Sequence, residues 1–535
     1  MATACNPVEI IFPSCEGDTV DTLAALRLYA GRPEEITVLG GVSVGDGIGG
    51  TYVWVAGSLT ADDGADVIRP SSLTHLQAGR WKRLSARRSS VVTTYDAAPA
   101  LILPANTAML DISGKAVAGD FGDAAYRAVA TEPAHSGKIQ VGGQWFEMMG
   151  AFANPDAFTR TGDADDTAAI QRAVDYCASR SLAAVQFNAR GYNMSAATLV
   201  LPSAVQLIGQ GFTESGVTNA QSPATGFGEQ VRGTFIKVNC LGRPGISVNN
   251  PNARGARIDR IMFTQDHPTV GSGAWMPTPY DFLISNRGSL GGLEIGDVMA
   301  LGINKVLDNS LAGRLTIGRM RGQWFTMGIR IDRSLDLVTI DKIHQWPFVT
   351  GNKKVLDYQV KNLVVLEVGR ADGIHIESLF SFAGYSTLHL TRLEEVGPPT
   401  DIKVTNLYSD ASQYGVVVDA PGAIASFATM TAQGEDLVTG GGVALAGSIG
   451  LYLNPEANGS SVTVGVHRYE RMGTAGVSNA SNATVSMTGT GLMRYYTGAD
   501  IYLSPVTKIN LHQQPITDLS GNAVKEGDVR RWLTN

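Results

Sequence analysis

Cysteine is scarce. Four residues in 535 (Cys5, Cys15, Cys177 and Cys240) are too few and too dispersed for a disulfide framework or a zinc site, and they fit folding in a reducing cytoplasm. Charge is also sparse, at 17% of residues with a net formal charge of −7, and no Lys/Arg run or basic aromatic face exists. A nucleic-acid partner is therefore not expected. No apolar run is long enough to cross a bilayer, so membrane insertion is not expected. No charged region followed by an apolar stretch opens the chain, which reads as synthesis without a secretory signal. No ligand spacing supports a metal, and no cofactor is expected.

What is present is glycine, 62 residues of it, scattered among Val, Ile, Leu and Thr. That mixture suits many short strands joined by tight turns. Hydrophobic residues make up 44%, enough for a well-buried interior, and the length calls for several domains or an elongated repeat.

The front of the chain reads as two small modules. Residues 17–83 hold "DTVDTLAALRLYAG", a short helix with Leu23, Leu26 and Leu28 near one face, then "ITVLGGVSVGDGIGGTYVWVAG" and "GRWKRL". Residues 119–149 echo this with "GDFGDAAYRAV" and "GQWFEM". In both, a Gly-Asp turn leads to a Tyr-bearing strand and a Trp-bearing strand closes the module, large rings supplying buried area to a small unit. "GDGIGG" lacks the Lys-Ser/Thr and the strand-to-helix setting of a phosphate loop, so it reads as a hairpin turn.

Next comes "TGDADDTAAIQRAVDYCAS", a helix with Asp165 and Asp166 at its start and an apolar face of Ile170, Ala173, Val174 and Cys177. From residue 256 a motif recurs, apolar-x-apolar-x-x-apolar, centred on Ile258, Ile295, Ile317, Ile340, Ile376 and Val404. Two adjacent spacings, 317 − 295 = 22 and 340 − 317 = 23, suit one coil of a stacked solenoid. The interval 376 − 340 = 36 implies a coil carrying an inserted loop. Companion strands "GINKVLD", "GIRIDRS", "GVVVDA" and "GLYLN" follow several of these motifs. After about residue 440 the pattern loosens into Ser, Thr, Asn and Gly.

In order and spacing, Phe158, Gly162-Asp163, "DDTAAIQRAV", "AAVQFNARGY" and "VQLIGQG" resemble the start of the pectate-lyase-like right-handed β-helix. Asn188-Ala189-Arg190 stands where that family more often has Pro-Ala-Gly, and it reads as a turn variant without functional weight. The front modules resemble the N-terminal region of bacteriophage tailspike proteins. The resemblance implies an all-β chain: a right-handed parallel β-helix with an N-terminal capping α-helix, small β-rich N-terminal modules and a short β-rich C-terminal segment. The domain expectation is 1–90 for virion attachment, 91–150 for a second small module, 151–440 for the β-helix and 441–535 for assembly. It further implies a phage tailspike, located on the virion after synthesis in the host cytoplasm. The implied partners are phage tail or baseplate proteins at the N-terminus, two further copies in a homotrimer, and a bacterial surface polysaccharide (capsule, exopolysaccharide or O-antigen). Depolymerisation by glycosidic hydrolysis is the leading reading. A lyase on the same fold and a non-catalytic receptor-binding tail protein are the alternatives. A cellular polysaccharide enzyme would leave the front modules unexplained.

Cleaving a glycosidic bond needs two carboxylates, or a base beside a uronate. On "VTIDKI" and "IHIESL" the apolar positions point inward, so Thr339, Asp341, His375 and Glu377 point outward. In register, Asp341 stacks on Glu377 about 5 Å away, and His375 is placed to assist. The expected catalytic residues are Asp341, Glu377 and His375, and the expected substrate-binding residues are Trp346, Tyr385 and Arg333. Asp332, Asp336, Glu394 and Glu395 are reserves. The plainer reading of the acids is solvated surface paired with Arg333 and Lys342.

Overall fold

The structure, a computed structural model, describes residues 18–44, 49–84, 90–103, 107–202, 204–213, 232–248, 254–334, 336–393, 397–437 and 443–488. It also describes the strand backbone at Gly491–Arg494, Ile501–Leu503, Lys508–Leu511, Ile516–Thr517 and Ala523–Val524. Cys5, Cys15, residues 45–48 of the "GDGIGG" turn, Glu394 and Glu395 lie outside the described residues. The chain divides into two compact units, residues 1–150 and 151–535.

The first unit contains two five-stranded sheets with one topology. Strands Asp18–Val20, Glu35–Val38, Gly50–Val55, Arg80–Arg83 and Val67–Ile68 lie side by side in that order, so the chain order is 1-2-3-5-4. Ser90–Thr93, Met109–Ile112, Ala124–Val129, Gln144–Met148 and Lys138–Val141 repeat it. In each sheet the first pair is parallel and every other pair antiparallel. In the first sheet, helix α1 (Leu23–Leu28) buries Leu23 and Leu26 against Ile36, Tyr52 and Trp81, whereas Leu28 is 75% exposed. The internal echo breaks at one ring. Trp81 is buried, but the register of Gln144–Met148 turns Phe146 inward and leaves Trp145 half-buried.

The second unit is a parallel β-helix whose strands form one continuous 25-stranded ladder. Each full coil has three faces. On face 1, Leu207, Ile258, Ile295, Ile317, Ile340, Ile376 and Val404 pair rung to rung, and the column runs on through Phe427, Val464 and Met487. All are at most 2% exposed. Face 3 carries a matching column of Leu307, Ile329, Leu366, Leu388, Val416, Leu451 and Val477. The repeat motif is thus the inward line of face 1, and the companion strands supply face 3. The 36-residue interval holds helix α3 (Lys353–Asn362), counting Thr167–Arg180 as α2.

Helix α2 lies against the first rung, burying Ile170, Ala173, Val174 and Cys177, with the Cys177 thiol donating to the Ala184 carbonyl at 3.2 Å. Its two leading acids do different work. Asp165 accepts from the Thr167 amide at 2.9 Å, as a capping side chain does. Asp166 makes no cap bond. It accepts instead from the Asn193 amide at 2.8 Å and the Arg190 guanidinium at 2.9 Å, tying the helix to strand Gly191–Met194. Arg190 also donates to buried Asp156 at 2.8 Å, and Asp156 receives Asn188 Nδ2 at 2.7 Å and the Tyr192 hydroxyl at 2.8 Å. The Asn188-Ala189-Arg190 turn is therefore the clamp that seats the cap, not an inert variant.

The sequence reading closes the β-helix at residue 440, and here the structure differs. Ile424–Gln433 pairs in parallel with Ser461–Glu470, that strand with Thr484–Met487, and the last with Lys508–Leu511. The apolar signal fades there because inward positions become small or polar and bond internally. Asn479 is fully buried and donates from Nδ2 to the Ala483 carbonyl at 2.9 Å. Among the described residues beyond 440, the antiparallel pair Ile516–Thr517 and Ala523–Val524 stands outside the main ladder.

Candidate functional site

Asp341 and Glu377 occupy the bend between face 1 and face 2. Ile340 pairs with Ile376 and Lys342 with Ser378, so the two carboxylates face each other on adjacent rungs. Both are exposed, and neither makes a hydrogen bond or ion pair with a described residue. His375 is exposed on face 1 between Thr339 and Lys403 in the ladder, and Lys403 is paired to Asp401 at 2.9 Å. The stacking read from the motif is present, at a solvent-facing corner.

Arg333 sits apart from them, at the turn from face 3 to face 1. It lines a shallow cavity of ≈ 380 Å³ with Leu290, Leu311, Asp336 and Arg370. The two reserve acids there serve structure. Buried Asp332 accepts from the Arg370 amide at 3.1 Å, and Asp336 is ion-paired to Arg314 at 2.7 Å.

Trp346 leads to a different surface. Face 2 alternates in and out, so successive rungs place His344, Phe380 and Tyr408 in one outward column and Phe382 and Asp410 in the next. Ring centroids lie 4.9 Å apart for His344–Phe380 and 5.1 Å for Phe380–Tyr408, both edge to face. Trp346 joins this staircase through Phe348 at 5.4 Å and Phe382 at 6.3 Å. Burial and the positive neighbours Lys342 and Arg321 hold the His344 imidazole below its ordinary range, so it presents a neutral ring.

Directly along the same surface the aromatics give way to charge. The Tyr408 hydroxyl accepts from Gln433 Nε2 at 2.9 Å. Glu435 is paired to Arg471 at 2.8 Å, and Arg468 to Glu470 at 2.8 Å. Asp410 lies among them, half-buried. Burial, then repulsion from Glu435, pushes its carboxyl up to about 6, against the pull of the Ala411 amide and Arg471. Among the described residues it is the carboxylate raised above its ordinary range. A carboxyl group poised there exchanges its proton near neutral pH, which is what general acid–base chemistry needs.

Reading one motif at a time missed Asp410, yet a signal existed. Aligning "IHIESLFSF", "IKVTNLYSD", "IASFATMTAQ" and "SVTVGVHRYE" on their inward columns puts Phe382, Asp410, Gln433 and Glu470 in one outward line. Tyr385 falls across the next bend, at the start of face 3, with its ring 5.2 Å from Tyr414. Among the described residues no three His, Cys, Asp or Glu side chains group as metal ligands.

Comparison with known proteins bears first on the front of the chain. Residues 19–86 match the family model of the phage tail protein small four-stranded β-sheet domain. The match covers the antiparallel strands Glu35–Val38, Gly50–Val55, Arg80–Arg83 and Val67–Ile68 of the first sheet. The resemblance to phage tail proteins thus has a direct match at the front of the chain. No curated protein matches the chain's sequence. Similar solved structures include the tailspike protein of Acinetobacter phage vB_ApiP_P1, at 11% identity and a TM-score of 0.42, covering 82% of this chain and 74% of that one. The enzymatically active domain of bacteriophage CBA120 tailspike protein 4 is 11% identical, with a TM-score of 0.39 and coverage of 92% and 65%. The A-module of Azotobacter vinelandii mannuronan C-5 epimerase AlgE4 is 16% identical, with a TM-score of 0.37 and coverage of 68% and 100%.

Proposed function

We propose that this protein is a bacteriophage tailspike that binds and cleaves a bacterial surface polysaccharide along face 2 of its β-helix. The matched tail domain at residues 19–86 supports the phage assignment. The observation that carries the cleavage reading is the half-buried Asp410, raised to about 6, set at the foot of the His344–Phe380–Tyr408 staircase. Sugar rings present flat C–H faces to aromatic rings, and a ladder about 4.8 Å per rung offers such faces repeatedly along a polymer. Asp410 then donates a proton to the leaving glycosidic oxygen. Glu435, held by Arg471, is the second carboxylate and activates water or attacks the sugar carbon. Hydrolysis is favoured over elimination because two carboxylates meet here. The N-terminal sheets attach the protein to the virion, and three copies assemble side by side.

Asp341 and Glu377, with His375 beside them, remain a second reading because their rungs are adjacent. Site-directed variants separate the two. Asp410→Asn and Glu435→Gln should each lower oligosaccharide release at least about 100-fold, while Asp341→Asn and Glu377→Gln retain it. The reverse pattern moves the site to the corner. Ultraviolet absorbance of an unsaturated product would show elimination in place of hydrolysis.

A further inference from the structure

Face 3 carries a second constellation that the cleavage surface does not use. The His389 Nε2 atom lies 2.7 Å from the Asp419 carboxylate. Burial pushes Asp419 upward, but the hydrogen bonds from His389 and Thr391 outweigh it and hold the carboxyl below its ordinary range. An ionised Asp419 holds a proton on the Nε2 atom that faces it. The His389 Nδ1 atom is buried and has no hydrogen-bond partner among the described residues.

Three tyrosines stand on the same face as this pair. Tyr414 and Tyr452 stack nearly parallel, with centroids 5.5 Å apart and planes at 20°, and Tyr385 meets Tyr414 edge-on at 5.2 Å. The ladder puts His389, Val417 and Tyr452 in one column, so the rings and the His389–Asp419 pair share one face. Val417, 5% exposed, sits between His389 and Tyr452 in the ladder and floors the patch. None of the three phenol hydroxyls makes a hydrogen bond with a described residue. Buried polar atoms in folded proteins are normally paired, so the unpartnered Nδ1 of His389 beside this aromatic wall needs an explanation.

Charge narrows the ligand. On the rungs N-terminal to His389, Arg330 and Glu367 neutralise each other at 2.5 Å, so the charge set directly against His389 is the Asp419 carboxylate. An anionic sugar would be repelled. Neutral pyranose rings, with apolar faces for Tyr414 and Tyr452 and hydroxyls for His389 and the phenols, suit the site in both shape and sign. We propose that the His389–Asp419 pair and the Tyr385–Tyr414–Tyr452 cluster form a second, non-catalytic saccharide-binding site for neutral sugar units, holding the polymer beside the cleavage surface.

The proposal rests on the protein binding a saccharide, but not on its cleaving one. The probe is an array of purified bacterial capsular polysaccharides, exopolysaccharides and O-antigens, read with the full-length chain at low temperature so that polymer stays intact. Tyr414→Ala and Tyr452→Ala should each weaken retention of the bound polymer about tenfold, with melting temperature unchanged. Release from fragments too short to span both faces should also be unchanged. Tyr414→Phe and Tyr452→Phe keep the rings and should lose two- to threefold, which guards against a folding defect in the alanine variants. Retention within twofold of the parent in both alanine variants overturns the second site. If Asp410→Asn still cleaves, the face 2 mechanism falls, whereas the tyrosine result still decides this proposal.

Discussion

Asp410 links chemistry to stability. Its folded-state pKa of about 6 stands above the ordinary 3.8, so the folded protein holds this proton more tightly than the unfolded chain does. The stabilising effect of the neutral carboxyl is complete below about pH 3.8 and is lost as pH rises through 6. Above that the buried charge costs on the order of 2 kcal/mol. Asp410→Asn should therefore raise the melting temperature at pH 8 and leave it unchanged at pH 4, while abolishing cleavage; thermal scans at both pH values check this. Arg190 illustrates the opposite case. Arg190→Ala strands the Asp156 carboxylate, whose side chain is 5% exposed, and should cost about 3–5 kcal/mol by denaturant titration. Arg190→Lys should recover little, because an ammonium cannot fork between Asp156 and Asp166. Neither role was legible in sequence. The raised carboxyl depends on burial by other coils, and the clamp depends on Asp156 arriving from 34 residues upstream.

At the scale of strands and helices, the sequence spoke most clearly through the inward column. Six motif centres read from the sequence stack as one line, because each coil, whether 22 or 23 residues or longer with an inserted loop, returns the chain to the same face. Ile317→Ala, in mid-column, should lose about 2–4 kcal/mol, since rigid rungs above and below cannot collapse into the cavity; denaturant midpoints test it. Outward residues were harder to read. Alternation places them on a face, but only the neighbouring coils decide whether they are paired, exposed or crowded. Asp341 and Glu377 were legible as neighbours yet not as corner residues.

Helix α3 interrupts one coil and closes over residues 265–281. Trp275 packs on Phe325 at 4.9 Å and on Tyr358 at 5.7 Å, and Lys354 donates to the Gly271 and Ser272 carbonyls. Within that loop His267 donates from Nε2 to the Gly302 carbonyl at 2.7 Å and accepts the Thr278 amide on Nδ1 at 3.1 Å. Burial pushes its imidazole down to about 4. The unfolded chain takes up this proton first, so the loop should lose up to about 3 kcal/mol as pH falls from 6.5 toward 4. Trp275 fluorescence followed from pH 7 to 4 should report the release; an unchanged signal across that range contradicts it.

Across the whole molecule the division of labour is between a front unit of two like sheets and a β-helix that displays aligned side chains. The tail-domain match lies entirely in the first sheet, and the 1-2-3-5-4 order of the second was foreshadowed by the echo of Gly-Asp, Tyr and Trp. The far end of the β-helix was least legible, because buried Ser and Asn erase the apolar alternation without ending the ladder. The central claim is that face 2 cleaves a glycan through Asp410. The most direct test is release of reducing ends from a panel of purified bacterial surface polysaccharides by the parent protein and by Asp410→Asn. The account predicts release from at least one polymer by the parent, falling as pH rises above about 6, and none from the variant. Equal release by both, or intact polymer under the parent alone, contradicts it.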